Sequence, residues 1–181
     1  MRLLALSLFV VASTAFAGEL EGVTMADKIT AEGKELQLNG MGLRKKFVFQ
    51  VYVAGLYVEQ KNSNADAIIG ADAVRRVEMK MLRDLEKKAI VDAIKTGFEK
   101  NAKEKLGALQ ERLDKFTAVI PDLKKGQTLS ILYVPGQGTR VEGGKDSYLA
   151  EGKDFADALF SVWLGKNPVD ENLKKGMLGA K

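Results

Sequence analysis

The chain has 181 residues, with 28 Lys+Arg against 24 Asp+Glu for a formal charge of +4, and contains neither histidine nor cysteine. Those two absences exclude Ser-His-Asp and Cys-His catalysis, zinc sites of the usual N/S type, histidine-ligated haem and thiol redox chemistry. The small cationic excess is interleaved with anions, and aromatics do not alternate with basic residues, so no nucleic-acid partner is expected.

The first segment, "MRLLALSLFVVASTAFA", carries one early charge at Arg2, an apolar run from Leu3 to Ala12 and a small-x-small ending at Ala15-Phe16-Ala17. That pattern predicts a signal peptide over residues 1–17, cleaved near Ala17, and hence a periplasmic or secreted protein. Its apolar run falls short of the roughly 20 residues that a membrane span needs, and no later segment comes close to that length. Residues 18–181 show no repeat, low-complexity tract or linker, which predicts one domain with a core large enough to fold without disulfides. No "DxDxDG"-like calcium loop occurs, so no structural metal is expected.

Along the mature chain, "KELQLNGMG" alternates weakly and predicts a short strand ending in a Gly-containing turn. In "GLRKKFVFQVYVAGLYVE", residues 42–59, the cations Arg44, Lys45 and Lys46 stand at the mouth of an apolar stretch. From Phe47 to Val58 β-branched and aromatic residues fill both parities, which predicts a central strand covered on both faces. If the strand is regular from its start, residues 44, 48, 50 and 52 share one face.

"VRRVEMKML" then sets Val77, Met79 and Met81 against Arg76, Glu78 and Lys80, a strand with one wet face. Ile90, Ile94, Phe98 and Ala102 recur every four residues, and Leu106, Leu109, Leu113, Phe116 and Ile120 at three and four, predicting two amphipathic helices broken around Gly107 and ending at Pro121. "QTLSILYVPGQGTRVEGG" predicts a β-hairpin; Gly136 and Gly138 lead into another strand, so they read as a turn and not as a phosphate cradle. Phe155, Leu159, Val162 and Trp163 predict a helix ending at Gly165, and a short helix follows from Pro168 and Asp170 toward Gly176.

Three separated blocks, "GLRKKFVFQVYVAGLYVE", "LSILYVPGQGTRVEGG" and "DFADALFSVWLGKNPVDENLKKGMLG", resemble the chalcone isomerase-like family in its bacterial exported branch. The resemblance implies an α+β fold, an open-faced β-sandwich: a large antiparallel sheet with helices on one face and a ligand cleft between them. In the plant enzymes of that family a strand arginine stabilises a developing oxyanion during a cofactor-free ring closure, and Arg44 matches it. A guanidinium in a water-poor cleft offers fixed, always-charged donors to growing negative charge. The accompanying hydroxyl network is largely missing: Tyr52 stands where the enzymes carry threonine, and Ala89 and Thr96 where they carry tyrosine and asparagine.

Other members of the family bind fatty acids without catalysis, holding the carboxylate with the strand arginine and a nearby tyrosine. Arg44 and Tyr52 resemble that pair, and Gln50 is expected between them as a third polar contact. The sequence thus points first to a non-catalytic, periplasmic module for a small amphipathic carboxylate, fatty acid or aromatic acid. The alternatives are an isomerase, an intramolecular lyase acting on a chalcone-like or enone substrate with Arg44 and Tyr52 as its catalytic groups, and a structural or partner-binding protein with a filled cleft.

Overall fold

Residues 16–180 are described by a computed structural model, with side chains from Gly18 onward. Apart from the backbone at Phe16 and Ala17, the signal peptide expected over residues 1–17 lies outside the described residues. The described residues open with a hairpin, β1 (Phe16–Leu20) and β2 (Val23–Ala26). A seven-stranded sheet follows: β3 (Lys28–Ala31), β4 (Lys34–Lys46), β5 (Phe49–Val58), β6 (Arg75–Met81), β7 (Thr128–Val134), β8 (Gly138–Glu142) and β9 (Leu149–Ala150). Its strands lie side by side in sequence order and each pairs antiparallel with the next. Helix α1 (Ala65–Gly70) interrupts β5 and β6, α2 (Lys87–Asn101) and α3 (Leu106–Ala118) interrupt β6 and β7, and α4 (Lys153–Leu164) and α5 (Glu171–Met177) follow β9.

The sheet is apolar on both sides for different reasons. Toward the helices, Leu56, Val77, Met79, Leu129 and Ile131 share one core with Ile94, Phe98, Leu109, Phe116 and Phe155. On the opposite face Leu36, Leu38, Val53, Tyr57 and Leu132 are covered by Val23 and Met25 of the β1–β2 hairpin. The architecture is the expected α+β open-faced sandwich, a large antiparallel sheet with its helices on one side. Central β5 is buried from Val51 through Val58, as its apolar residues of both parities require.

Helix α4 is the inner helix. Nine of its 12 residues are buried, so it is apolar nearly all round and lies between other elements instead of facing water. Gly97 of α2 lets the two helices approach: a β-carbon there would fall 2.7 Å from Val162 Cγ2. Helix α5 lies directly on β4. A side chain at Gly40 or Gly42 would collide with the backbone of Gly176 or Leu173, and one at Gly176 with the carbonyl of Met41.

Three readings need correction. The stretch 42–59 is not one strand but the end of β4, a two-residue turn at Phe47-Val48, and β5. No glycine, asparagine or proline marks that turn, and a run of apolar residues hides a reversal that pairing alone creates. The break between α2 and α3 falls at Ala102–Lys105, before Gly107, where a 3₁₀ turn intervenes. "KELQLNGMG" is part of a 13-residue strand whose glycines serve the close packing of α5 and not a turn. The strands before Lys34 and helix α1 had no periodicity long enough to announce them.

Candidate functional site

Between the sheet and the helix layer lies a cavity of about 320 Å³, at the small end of the range of ligand pockets. Its apolar wall comes from β5, β6 and β7 (Val51, Met79, Met81, Leu129) and from the helix side (Leu85, Ile90, Ile94, Val162). Strand alternation explains the sheet half: Met79 and Met81 share parity on β6, the same parity as the buried Val77. The four-residue recurrence of Ile90 and Ile94 along α2 explains the helical half.

At the polar end stand Arg44 and Tyr52, directly opposite one another in the β4–β5 register. They share a face through cross-strand pairing, not through parity along one strand. Immediately beyond them the register shifts by a bulge at Val51, so Val51 and Tyr52 both reach the cavity. The bulge also turns Gln50 away: it pairs with Lys45, is exposed, and does not line the cavity. Val48 sits at the turn. The geometry therefore brings Arg44 and Tyr52 together and separates Gln50 from both.

Arg44 is fixed by one hydrogen bond, from Nη1 to the carbonyl of Val169 at 2.7 Å. No carboxylate among the described residues is within ion-pair reach of it. The nearest candidate by position, Asp170, is already engaged: Oδ1 accepts from the N–H groups of Asn172 and Leu173, capping α5, and Oδ2 accepts from Lys45 N–H. A guanidinium has five N–H donors, so most of Arg44's capacity is open to an incoming anion.

Tyr52 is 7% exposed, and its hydroxyl accepts a hydrogen bond from Trp163 Nε1 at 3.1 Å. That bond occupies an acceptor position and leaves the phenolic proton free to donate. Burial pushes the Tyr52 pKa above the ordinary tyrosine value, while the Arg44 charge pulls in the opposite direction. The group is therefore a neutral donor across the physiological range. One fixed cation and one neutral donor, at the end of an apolar hollow, are complementary to a carboxylate on an apolar body.

Residues 17–179 match the profile of the family described as chalcone isomerase-like. The chain belongs to that family. No match was found among curated proteins. Among solved structures, this chalcone isomerase-like chain is similar to a fatty-acid binding protein of Arabidopsis thaliana, with 17% identity and a TM-score of 0.69, over 91% of this chain and 96% of that one. At that identity the likeness shows the fold. The helix positions that the resemblance singled out are placed beside the site: Ala89 lines the cavity, and Thr96 lies in the open groove just outside it, near Lys46 and Lys100.

Two contributors escaped the sequence reading. Trp163 enters the sequence pattern only as part of an amphipathic helix, although a buried indole N–H calls for an acceptor and so signals a polar neighbour. The Val169 carbonyl that anchors Arg44 is a backbone group in the loop before α5, and no side-chain pattern reports it.

Proposed function

We propose that this chain is an exported, non-catalytic binding module for a small amphipathic carboxylate, a fatty acid or an aromatic acid. The observation that carries the reading is the pairing of Arg44 and Tyr52, with spare donors, at the polar end of an apolar cavity. A charge-assisted hydrogen bond adds about 1.5–3 kcal/mol, whereas each buried methylene adds about 0.8 kcal/mol. Tail burial then supplies most of the affinity, and Arg44 and Tyr52 select for acids and fix the head.

The hollow beside Arg44 weighs against a cleft filled by the protein's own side chains. Ala89 and Ala93 on the cavity-facing side of α2 offer no hydroxyl to arrange water or substrate, which favours binding over isomerisation. Export rests on the pattern of residues 1–17 and fits a chain in which no helix among the described residues is long and apolar enough to cross a membrane.

Denaturing extraction of the purified protein followed by mass spectrometry tests the reading. A co-purified monocarboxylic acid is expected, together with a protein mass that begins near Gly18. A neutral lipid, or a protein that takes up no added fatty acid, would overturn it. Incubation with a chalcone is expected to leave its long-wavelength absorbance falling no faster than in buffer.

A further inference from the structure

The β4–β5 hairpin breaks two local rules at its tip. Phe47, Val48 and Phe49 are 90%, 86% and 55% exposed, the three most exposed large apolar side chains among the described residues. Phe47 also has φ +55°, in a two-residue turn position that favours glycine, asparagine or aspartate. A bulky aromatic held there in water is unfavourable to both backbone and side chain, and such conflicts concentrate where a surface has a task.

The surroundings of the tip specify that task. Lys45 and Lys46 flank it, and the guanidinium of Arg83 lies 4.6 Å from the centroid of the Phe49 ring. None of the three forms an ion pair with a described residue. Two of the nearby acids are engaged elsewhere, Asp84 with Lys124 and Lys125 N–H and Asp170 with the start of α5 and the Lys45 backbone N–H, which leaves Glu86 at the rim as one carboxylate against three cations. An apolar wedge of two aromatics and a valine, edged by unpaired cations, is complementary to an interface with hydrocarbon beneath and phosphates around it.

We propose that this hairpin tip docks on an anionic phospholipid bilayer, with Phe47 and Val48 entering the interface and Lys45, Lys46 and Arg83 at the headgroup phosphates. Phe47 and Phe49 also line the cavity, so docking places its mouth against the bilayer. An amphipathic acid can then pass between membrane and cavity with little exposure to water. That route rests on the binding function proposed above; the docking does not.

The absence of cysteine makes a site-specific test direct. The full chain carrying Val48→Cys is labelled with an environment-sensitive dye, and a second variant, Lys61→Cys, is labelled at the other end of β5. With phosphatidylglycerol-containing vesicles the dye at 48 is expected to shift to the blue and to be quenched by brominated acyl chains, and the dye at 61 to do neither. Each cation near such a surface raises affinity about fivefold, so Lys45→Gln with Lys46→Gln lowers partitioning about thirtyfold. Phe47→Gly relieves the positive φ and keeps the fold, so it is expected to lose docking with no fall in melting temperature.

The proposal is overturned by an unshifted dye at 48, by equal shifts at 48 and 61, or by equal response to neutral phosphatidylcholine vesicles. It is overturned as well if the dye at 48 becomes buried without vesicles as protein concentration rises, which would make a second copy the occupant. Because the readout is taken without added fatty acid, its failure is distinct from failure of the cavity to bind one.

Discussion

Replacing Arg44 by methionine removes the charge while keeping an unbranched stem of similar reach. The carbonyl of Val169 loses its 2.7 Å donor, but it lies beside open solvent and the half-buried rim, so the fold is expected to hold. The ligand loses at least one charge-assisted hydrogen bond, worth about 1.5–3 kcal/mol, or roughly 10- to 150-fold in Kd. Titration calorimetry with a saturated acid and with the alcohol of equal length separates head from tail. Wild-type protein is expected to prefer the acid by that factor, and Arg44→Met to bind both alike. Lengthening the chain by one methylene is expected to tighten binding about fourfold in either protein until the cavity is full. Equal affinity of wild-type protein for acid and alcohol would refute the role given to Arg44, whatever the cavity holds.

Tyr52→Phe removes a neutral donor and strands Trp163 Nε1, so it is expected to weaken acid binding about 2- to 10-fold and to lower unfolding stability by about 1–3 kcal/mol in urea. Gly42→Ala drives a methyl into the backbone of α5; a loss of about 1–3 kcal/mol is expected, along with weaker acid binding as Val169 and Arg44 shift. Arg75, 1% exposed, lies between the rings of Tyr133 and Phe160 and is paired to Asp157 at 2.8 Å. Asp157→Asn leaves that charge buried without its anion and is expected to lower stability by roughly 3–5 kcal/mol, read from the urea midpoint. Burial raises Tyr57 and Tyr133 to about 12, the latter also through its bond to Asp72. Both stay protonated when folded but ionise when unfolded above about pH 10. Their contribution to stability is therefore constant below that pH and falls between about 10 and 12, by at most about 1–2 kcal/mol per tyrosine once solvent screening is allowed for, which alkaline unfolding curves of Tyr57→Phe and Tyr133→Phe will show.

Periodicity reported the elements that bury one face. The four-residue recurrence from Ile90 to Ala102, the alternation of Val77, Met79 and Met81, and the apolar run ending at Val58 each record a contact with a core. These patterns carried the helices and the central strands, because a side chain's burial is written into its residue type, and they are compatible with the α+β class that the family resemblance implied. What they could not carry is pairing. Whether residues 42–59 form one strand or two depends on which backbone groups bond across the sheet, and every peptide offers the same donors and acceptors.

The candidate site divides along the same line. The sequence alone determined that an arginine and a tyrosine lie close in the chain beside an apolar stretch, and that neither histidine nor cysteine chemistry is available. Tertiary structure decided that Arg44 and Tyr52 meet across a hairpin, that the bulge at Val51 turns Gln50 outward, and that Trp163 and Val169 complete the polar end. It also decided that Phe47 and Val48 stand in solvent, although their composition belongs in a core. The physical reason is that residue type fixes what a side chain favours, whereas register, bulges and the approach of distant helices fix what it meets.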